Sequence, residues 1–91
     1  MIRRTLCIKN ELGLHARAAA KLVRLTSQFE SDIKLATPDN GRQVDGKSIL
    51  GILLLTAARG TEIQVVIDGK DESTAMEAIV KLVDSRFGEH K

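Results

Sequence analysis

Apolar and polar residues alternate along three stretches of the chain, as they do in β-strands with one buried face. These stretches are residues 2–9, 32–36 and 61–68, and their inward-facing residues are Leu6, Ile8, Ile33, Leu35, Ile63, Val65 and Ile67. Residues 42–44 are predicted as a fourth, shorter strand. The Thr-Pro-Asp-Asn-Gly segment at 37–41 is a strong turn signal. We therefore expect residues 32–36 and 42–44 to pair as the two strands of a hairpin.

The first helix is predicted over residues 16–29, where Ala18, Leu22, Leu25 and Phe29 recur at steps of four, three and four. This spacing places the four side chains on one helix face. We expect that face to pack against the sheet.

The second helix is predicted to be short and to follow Ser48, whose side chain is a favourable N-cap. The run that follows, residues 49–55, is rich in aliphatic side chains, and a short helix can bury only some of them. We expect Ile49, Ile52 and Leu55 to lie in the core.

The last helix is predicted to begin after Asp71 or after Thr74, where Glu77 three residues later would complete a capping box. Gly88 is the expected end of this helix. Its apolar stripe consists of Ala75, Met76, Ile79, Leu82 and Val83.

The predicted element order is β-α-β-β-α-β-α, within a single domain over residues 1–91. The hairpin makes the sheet at least partly antiparallel, and helices that cover one face of such a sheet form a two-layer α+β domain. A chain of this length is expected to have a radius of gyration of about 12 Å.

Composition argues against nucleic-acid binding, the main rival from another class of function. The chain has no Trp or Tyr, and Phe29 and Phe87 are its two aromatic residues, so it lacks the stacking platforms that single strands require. The 14 basic and 12 acidic residues are interspersed, and the net charge is only +2. We therefore expect no nucleic-acid partner.

Cys7 is the only cysteine, which excludes an intrachain disulfide and a cysteine-built metal site. We expect it to be a small packing residue within the first strand. The most apolar window, residues 49–58, is far shorter than the roughly 20 residues of a membrane span, and the N-terminus has no signal-peptide pattern. We expect a cytoplasmic protein without membrane insertion.

The chemistry of the chain is concentrated where the first turn meets the first helix, in Gly13-Leu14-His15-Ala16-Arg17-Ala18. A helix N-terminus presents unpaired N–H groups and attracts anions, and Arg17 adds donors that match a phosphate. An imidazole titrates near neutral pH and has a nucleophilic ring nitrogen. On spacing alone, however, a histidine before a helix is more often a partly exposed capping residue. Arg17 faces the positive end of the helix dipole, and this misfit favours an anion as its partner.

The string Asn10-Glu11-Leu12-Gly13-Leu14-His15-Ala16-Arg17 resembles the active-site signature of the HPr family, the histidine-containing phosphocarriers of the bacterial phosphotransferase system. The segments at residues 46–51 and 68–72, the length and the element order are also similar to that family. The resemblance spans essentially the entire chain. It implies a four-stranded antiparallel sheet with three helices on one side, an open-faced sandwich.

The resemblance implies that His15 is phosphorylated on Nδ1 by the phosphoenolpyruvate-dependent first enzyme and then passes the phosphoryl group to sugar-specific or regulatory receiving domains. Arg17 and the backbone amides of Ala16, Arg17 and Ala18 would stabilise that group. No cofactor and no metal are implied. The family usually has Pro where this chain has Ala18, and this departure leaves open whether the chain serves sugar uptake or belongs to a regulatory branch.

The resemblance to the HPr family extends to Ser48. The matching serine of that family is, in many bacteria, phosphorylated by an ATP-dependent kinase and dephosphorylated by a phosphatase. A serine is also a common N-cap, and both roles are compatible because a helix N-terminus tolerates added negative charge. The alternative function is therefore a regulatory module that controls partner proteins through the phosphorylation state of His15 or Ser48.

An exposed aliphatic surface rimmed by cations is expected around His15, as the docking surface for transient protein partners. Its residues are Ala16, Ala20 and Arg24 of the first helix and Leu50, Leu53 and Leu54 of the second. His90 is expected to be solvated and inert. A carrier that presents His15 to several partners is best served by being a monomer.

Overall fold

Four strands form one antiparallel sheet in the order β1-β4-β2-β3 in the computed structural model, which describes residues 1–38 and 42–90. The strands are β1 (Ile2–Cys7), β2 (Asp32–Ala36), β3 (Gln43–Asp45) and β4 (Glu62–Asp68). The helices are α1 (Ala16–Thr26), α2 (Ile49–Leu54) and α3 (Glu72–Asp84). The predicted fold class is confirmed: an open sheet with three helices. The radius of gyration is 11.6 Å, close to the expected value.

The register of the sheet brings the predicted inward-facing residues together. Leu6 of β1 is paired with Ile63 of β4, and Leu35 of β2 is paired with Val65 of β4. These four side chains are buried. The predicted hairpin is present, since Leu35 is also paired with Val44 of β3, but residues 39–41 of its turn lie outside the described residues.

Cys7 corrects one prediction, because its side chain is exposed and does not pack in the core. The alternation along β1 buries Leu6 and Ile8, so Cys7 between them faces the side of the sheet opposite the helices. On this open face its partner in β4 is Glu62, which is also exposed.

Helix α1 ends at Thr26, three residues before the predicted end. Thr26 is fully buried, and its hydroxyl donates a 2.7 Å hydrogen bond to the carbonyl of Gly46 in the turn after β3. From Gln28 onwards the hydrogen bonds reach back three residues instead of four, as in the bond from Gln28 N–H to the Leu25 carbonyl. Leu25 and Phe29 are therefore only partly buried at the end of the apolar face.

Helix α2 buries only part of its aliphatic run. Ile52 is fully buried and Leu55 is 5% exposed, as predicted. The prediction that Ile49 lies in the core is wrong, because its exposed fraction is 43%. A helix of six residues has few neighbours around its first turn, and Ile49 lies in that turn.

Helix α3 begins after Asp71, so the first of the two predicted starts is correct. The capping box of Thr74 and Glu77 is absent, because both residues lie inside the helix. The helix ends at Asp84, before the predicted Gly88.

The chain beyond α3 forms a single tight turn over Arg86–Gly88, in which all three residues have positive φ. Phe87 in this turn is fully buried and joins the core. Within the described residues, no helix combines the length and the apolar character that crossing a membrane requires.

Candidate functional site

His15 is the N-cap residue of α1. Its backbone is extended (φ −77°, ψ 177°), and its carbonyl accepts the first intrahelical hydrogen bond from Ala19 N–H at 2.8 Å. The imidazole makes no capping bond to the helix. The ring is therefore available for other contacts, and its side chain is 25% exposed.

Gly13 sets the path of the loop that leads into His15. Its φ is +66°, and a Cβ at this position would lie 2.5 Å from the Ala57 carbonyl oxygen and 2.9 Å from the Ala58 Cα. The next residue, Leu14, donates its N–H to the same Ala57 carbonyl at 2.9 Å. A glycine is required for both the left-handed backbone and the close approach of the two chain segments.

The imidazole of His15 is held by the carboxylate of Glu89. The His15 Nε2 atom lies 2.5 Å from Glu89 Oε2, and the Glu89 side chain is only 15% exposed. The other carboxylate oxygen, Oε1, accepts a 3.0 Å hydrogen bond from the Asn10 Nδ2. Among the described residues, none donates a hydrogen bond to the second ring nitrogen, Nδ1.

Asn10 is fully buried, and its amide nitrogen donates twice, to Glu89 Oε1 and to the Gly13 carbonyl at 2.8 Å. It therefore joins the loop before α1 to the C-terminal segment. Its own Oδ1 is buried and has no hydrogen-bond partner among the described residues.

The surroundings of Glu89 favour its charged form. Burial raises the pKa of this carboxyl, but the hydrogen bonds from Asn10 and His15 and the charges of His15 and Lys21 outweigh it. The net result is a pKa below the ordinary value of 4.5. Glu89 is therefore a carboxylate at neutral pH.

The turn after α3 places Glu89 beside His15 through a strained backbone. Three successive residues have positive φ: Arg86 (+58°), Phe87 (+55°) and Gly88 (+76°). The buried ring of Phe87 and a 2.6 Å bond from Lys21 Nζ to the Phe87 carbonyl hold this conformation. Such strain persists only where the surrounding structure compensates for it.

Arg17 lies in the first turn of α1 with its side chain exposed. That turn contains no acidic residue, and Arg17 forms no ion pair with any other described residue. A cavity of about 260 Å³ lies beside it, lined by Arg17, Glu89, His90, Glu11 and Leu12. The predicted neighbours Ala16 and Ala18 differ: Ala16 is exposed, whereas Ala18 is fully buried.

The predicted docking residues lie on two helices that contact each other, α1 and α2. Leu50 and Leu54 are 71% and 61% exposed. Ala16 and Arg24 are exposed as well, whereas Ala20 and Leu53 are half-buried. Leu12, which is not among the predicted docking residues, is 66% exposed in the loop before His15.

Ser48 is the N-cap of α2, as predicted. Its hydroxyl oxygen accepts a 3.1 Å hydrogen bond from Gly51 N–H, and its carbonyl accepts one from Ile52 N–H. The residue is half-buried.

Neither the contact of Glu89 with His15 nor the role of Asn10 was predicted from the sequence. No motif marks Glu89, which lies 74 positions from His15. His90 is exposed, as predicted, but it lies at the cavity beside Arg17. Within residues 1–38 and 42–90, no group of three or more His, Cys, Asp or Glu side chains is placed to hold a metal ion.

Comparison with known proteins gives consistent matches over nearly the whole chain. The family model described as "PTS HPr component phosphorylation site" matches residues 2–85. The phosphocarrier protein HPr of Xylella fastidiosa is 52% identical over 89 residues, which is 98% of each chain.

Solved structures agree with the sequence matches. The crystal structure of HPr from Thermoanaerobacter tengcongensis superposes with a TM-score of 0.93 and 40% identity, covering 100% of both chains. The Bacillus subtilis catabolite repression protein Crh, whose crystal structure is described as a swapped-domain dimer, has a TM-score of 0.72 and 32% identity, covering 94% of this chain and 97% of its own.

Proposed function

Because the chain belongs to the HPr family of phosphocarrier proteins, we propose that His15 accepts a phosphoryl group from the phosphoenolpyruvate-dependent first enzyme of the phosphotransferase system. It then passes the group to the sugar-specific or regulatory receiving domains. The observation that supports this most directly is the partly exposed imidazole at the start of α1, whose Nδ1 accepts no hydrogen bond from the described residues. A ring nitrogen with a free lone pair is a competent nucleophile.

The proposed reaction is a substitution at phosphorus. The bond from Nδ1 to phosphorus forms as the bond between phosphorus and the donor breaks, and the reverse exchange delivers the group to the next acceptor. A domain of 91 residues needs no enclosed cavity for this step, because the partner protein encloses the reacting atoms.

The N-terminus of α1 and Arg17 are proposed to stabilise the phosphoryl group. The first intrahelical bond uses Ala19 N–H, so the N–H groups of Ala16, Arg17 and Ala18 have no partner within the helix. These donors and the positive end of the helix dipole favour an anion, and the exposed guanidinium of Arg17 adds a cation.

The exposed residues of α1 and α2 are proposed to form the docking surface for both kinds of partner. Leu50 and Leu54 supply apolar area, and Arg24 supplies a cation at its edge. An apolar patch with a charged rim is typical of transient interfaces. We further propose that the protein acts in the cytoplasm and as a monomer, which leaves this surface free for successive partners.

Labelling tests the proposal directly. The protein is incubated with phosphoenolpyruvate and a first enzyme, and an acid-labile, base-stable phosphate is expected on the wild type. His15→Ala should abolish the label. His90→Ala is the matched control, because His90 is the only other histidine and is exposed. Labelling of His15→Ala at the wild-type level would contradict the proposal.

A regulatory role is the second candidate, and the similarity to Crh, a catabolite repression protein, favours it. The half-buried Ser48 lies at a helix start, where a phosphate finds nearby N–H donors. Incubation with ATP and an HPr-type serine kinase should phosphorylate the wild type and Ser73→Ala but not Ser48→Ala. Equal phosphorylation of Ser48→Ala would exclude this site.

A further inference from the structure

We propose that Glu89 is a positioning residue for the transfer, which holds the proton of His15 on Nε2 and so leaves the Nδ1 lone pair free to attack phosphorus. This inference rests on the proposed function. Glu89 lies beyond residues 2–85, the part of the chain that the family model matches.

The position of the proton follows from the chemistry of the two groups. Glu89 Oε2 lies 2.5 Å from His15 Nε2, and an ionised carboxylate can only accept a hydrogen bond. The Nε2 atom must therefore carry the proton. In a neutral imidazole with Nε2–H, the second nitrogen, Nδ1, has the free lone pair.

Asn10 determines which way the carboxylate faces. Its amide group donates one hydrogen to the Gly13 carbonyl and the other to Glu89 Oε1, so both donors are used. Asn10 is fully buried and cannot rotate without losing these bonds. The carboxylate is thereby fixed with Oε1 towards Asn10 and Oε2 towards His15.

The same contact stabilises the phosphorylated ring. When the Nδ1 lone pair forms the bond to phosphorus and the donor leaves with its electron pair, the ring that keeps Nε2–H becomes positively charged. Glu89 lies against that N–H and balances the charge, and no proton has to move. On transfer to the next acceptor the electron pair returns to Nδ1, and the original tautomer is restored. In serine proteases, a buried carboxylate likewise holds the catalytic histidine in one tautomer and stabilises its positively charged form.

The C-terminal turn provides the rigidity that this role requires. Phe87 is fully buried, and Lys21 Nζ donates a 2.6 Å hydrogen bond to the Phe87 carbonyl. Three successive residues with positive φ direct the chain back towards His15. A loose C-terminal tail would not hold a carboxylate at hydrogen-bond distance from one ring nitrogen.

Glu89→Gln is the decisive variant, because an amide has only one oxygen. The amide oxygen should face the Asn10 donor, and the amide NH2 should then face His15 Nε2. A donor at Nε2 favours the tautomer with the proton on Nδ1, which removes the nucleophile. Glu89→Ala removes the contact without imposing the wrong tautomer. Although alanine truncates more of the side chain, the glutamine variant should be the slower one.

The tautomer is read from the ring 15N resonances of His15 in the intact protein at pH 9, without any enzyme. The wild type should show the proton on Nε2, Glu89→Gln should shift the population towards Nδ1–H, and Glu77→Gln, an exposed glutamate of α3, should match the wild type. The rate of phosphoryl transfer from the first enzyme should fall about 100-fold in Glu89→Gln and about 10-fold in Glu89→Ala.

Two results would overturn the inference: a wild-type ring with the proton on Nδ1, or a Glu89→Gln variant that transfers as fast as Glu77→Gln. Equal losses in the glutamine and alanine variants with unchanged ring resonances would also overturn it, since they would indicate a purely structural role. Failure of the wild type to be labelled at all would instead contradict the proposed function, and the tautomer measurement would still decide the role of Glu89.

Discussion

The carboxylate of Asp71 joins the start of α3 to the residue before β2, because it accepts hydrogen bonds from both the hydroxyl and the backbone N–H of Ser31. It also accepts a 2.9 Å bond from Glu30 N–H. The Ser31 hydroxyl, followed by the Glu30 N–H, lowers the pKa of Asp71 below its ordinary value of 3.8, although partial burial opposes the shift. Asp71 is the N-cap residue of α3, but its side chain makes no capping hydrogen bond to the helix and accepts hydrogen bonds from Glu30 and Ser31 instead.

The pH dependence of stability should show this contact. Because the pKa of Asp71 is lower in the folded protein, its contribution is complete above the unfolded value and is lost as the pH falls through the folded value. Asp71→Ala should lower the Tm at pH 7 by about 5 °C and flatten the loss of stability below pH 4. Asp32→Ala, an exposed neighbouring acid, is the control. Thermal unfolding of both variants at pH 7 and pH 3 tests this, and equal pH profiles would contradict it.

The close approach at Gly13 predicts a large effect of an added methyl group. Gly13→Ala should destabilise the fold by about 2–4 kcal/mol, since it adds a steric clash with Ala57 to an unfavourable positive φ. Gly60→Ala separates the two causes, because Gly60 also has a positive φ (+88°) but nothing lies within 4 Å of its added Cβ. Urea unfolding should show a smaller loss at Gly60, about 1 kcal/mol. Equal losses would show that the contact with Ala57 does not matter.

Restoring the family's proline at position 18 tests the departure noted in the sequence. The first intrahelical bond uses Ala19 N–H, so Ala18→Pro removes no helix bond. The Tm should stay the same or rise by about 2–4 °C, equivalent to a gain of about 0.4–1 kcal/mol. If the Ala18 N–H stabilises the phosphoryl group, hydrolysis of the phosphorylated variant should be faster. Ala20→Pro, inside the helix, is the contrasting variant and should lower the Tm strongly.

A substitution at an exposed position of α2 should weaken binding to the first enzyme without changing the stability of the fold. Leu50→Glu should raise the KM of the first enzyme for this protein about 10-fold and leave the Tm within 2 °C of the wild type, because the side chain is 71% exposed. Ser73→Glu adds the same charge to the exposed first turn of α3 and should change neither quantity. An unchanged KM for Leu50→Glu would place the docking surface elsewhere.

Local sequence pattern was sufficient for most of the fold. Alternation of apolar and polar residues located β1, β2 and β4, because strand periodicity depends only on which residues face the core. Helix ends were less accurate. Thr26 ends α1 through a bond to Gly46, and this contact between distant segments has no local signal. Ile49 was misplaced for a related reason, since burial of an aliphatic residue depends on whether another element covers it.

The sequence by itself determined where the chemistry lies: the string from Asn10 to Arg17 places a histidine and an arginine at a helix start, and these are local features. Only the tertiary structure decided how the histidine is held. The carboxylate of Glu89 reaches His15 across 74 positions because Phe87 is buried in the core and the turn around it reverses the chain. A contact of this kind depends on the packing of the whole domain, and no spacing in the sequence encodes it.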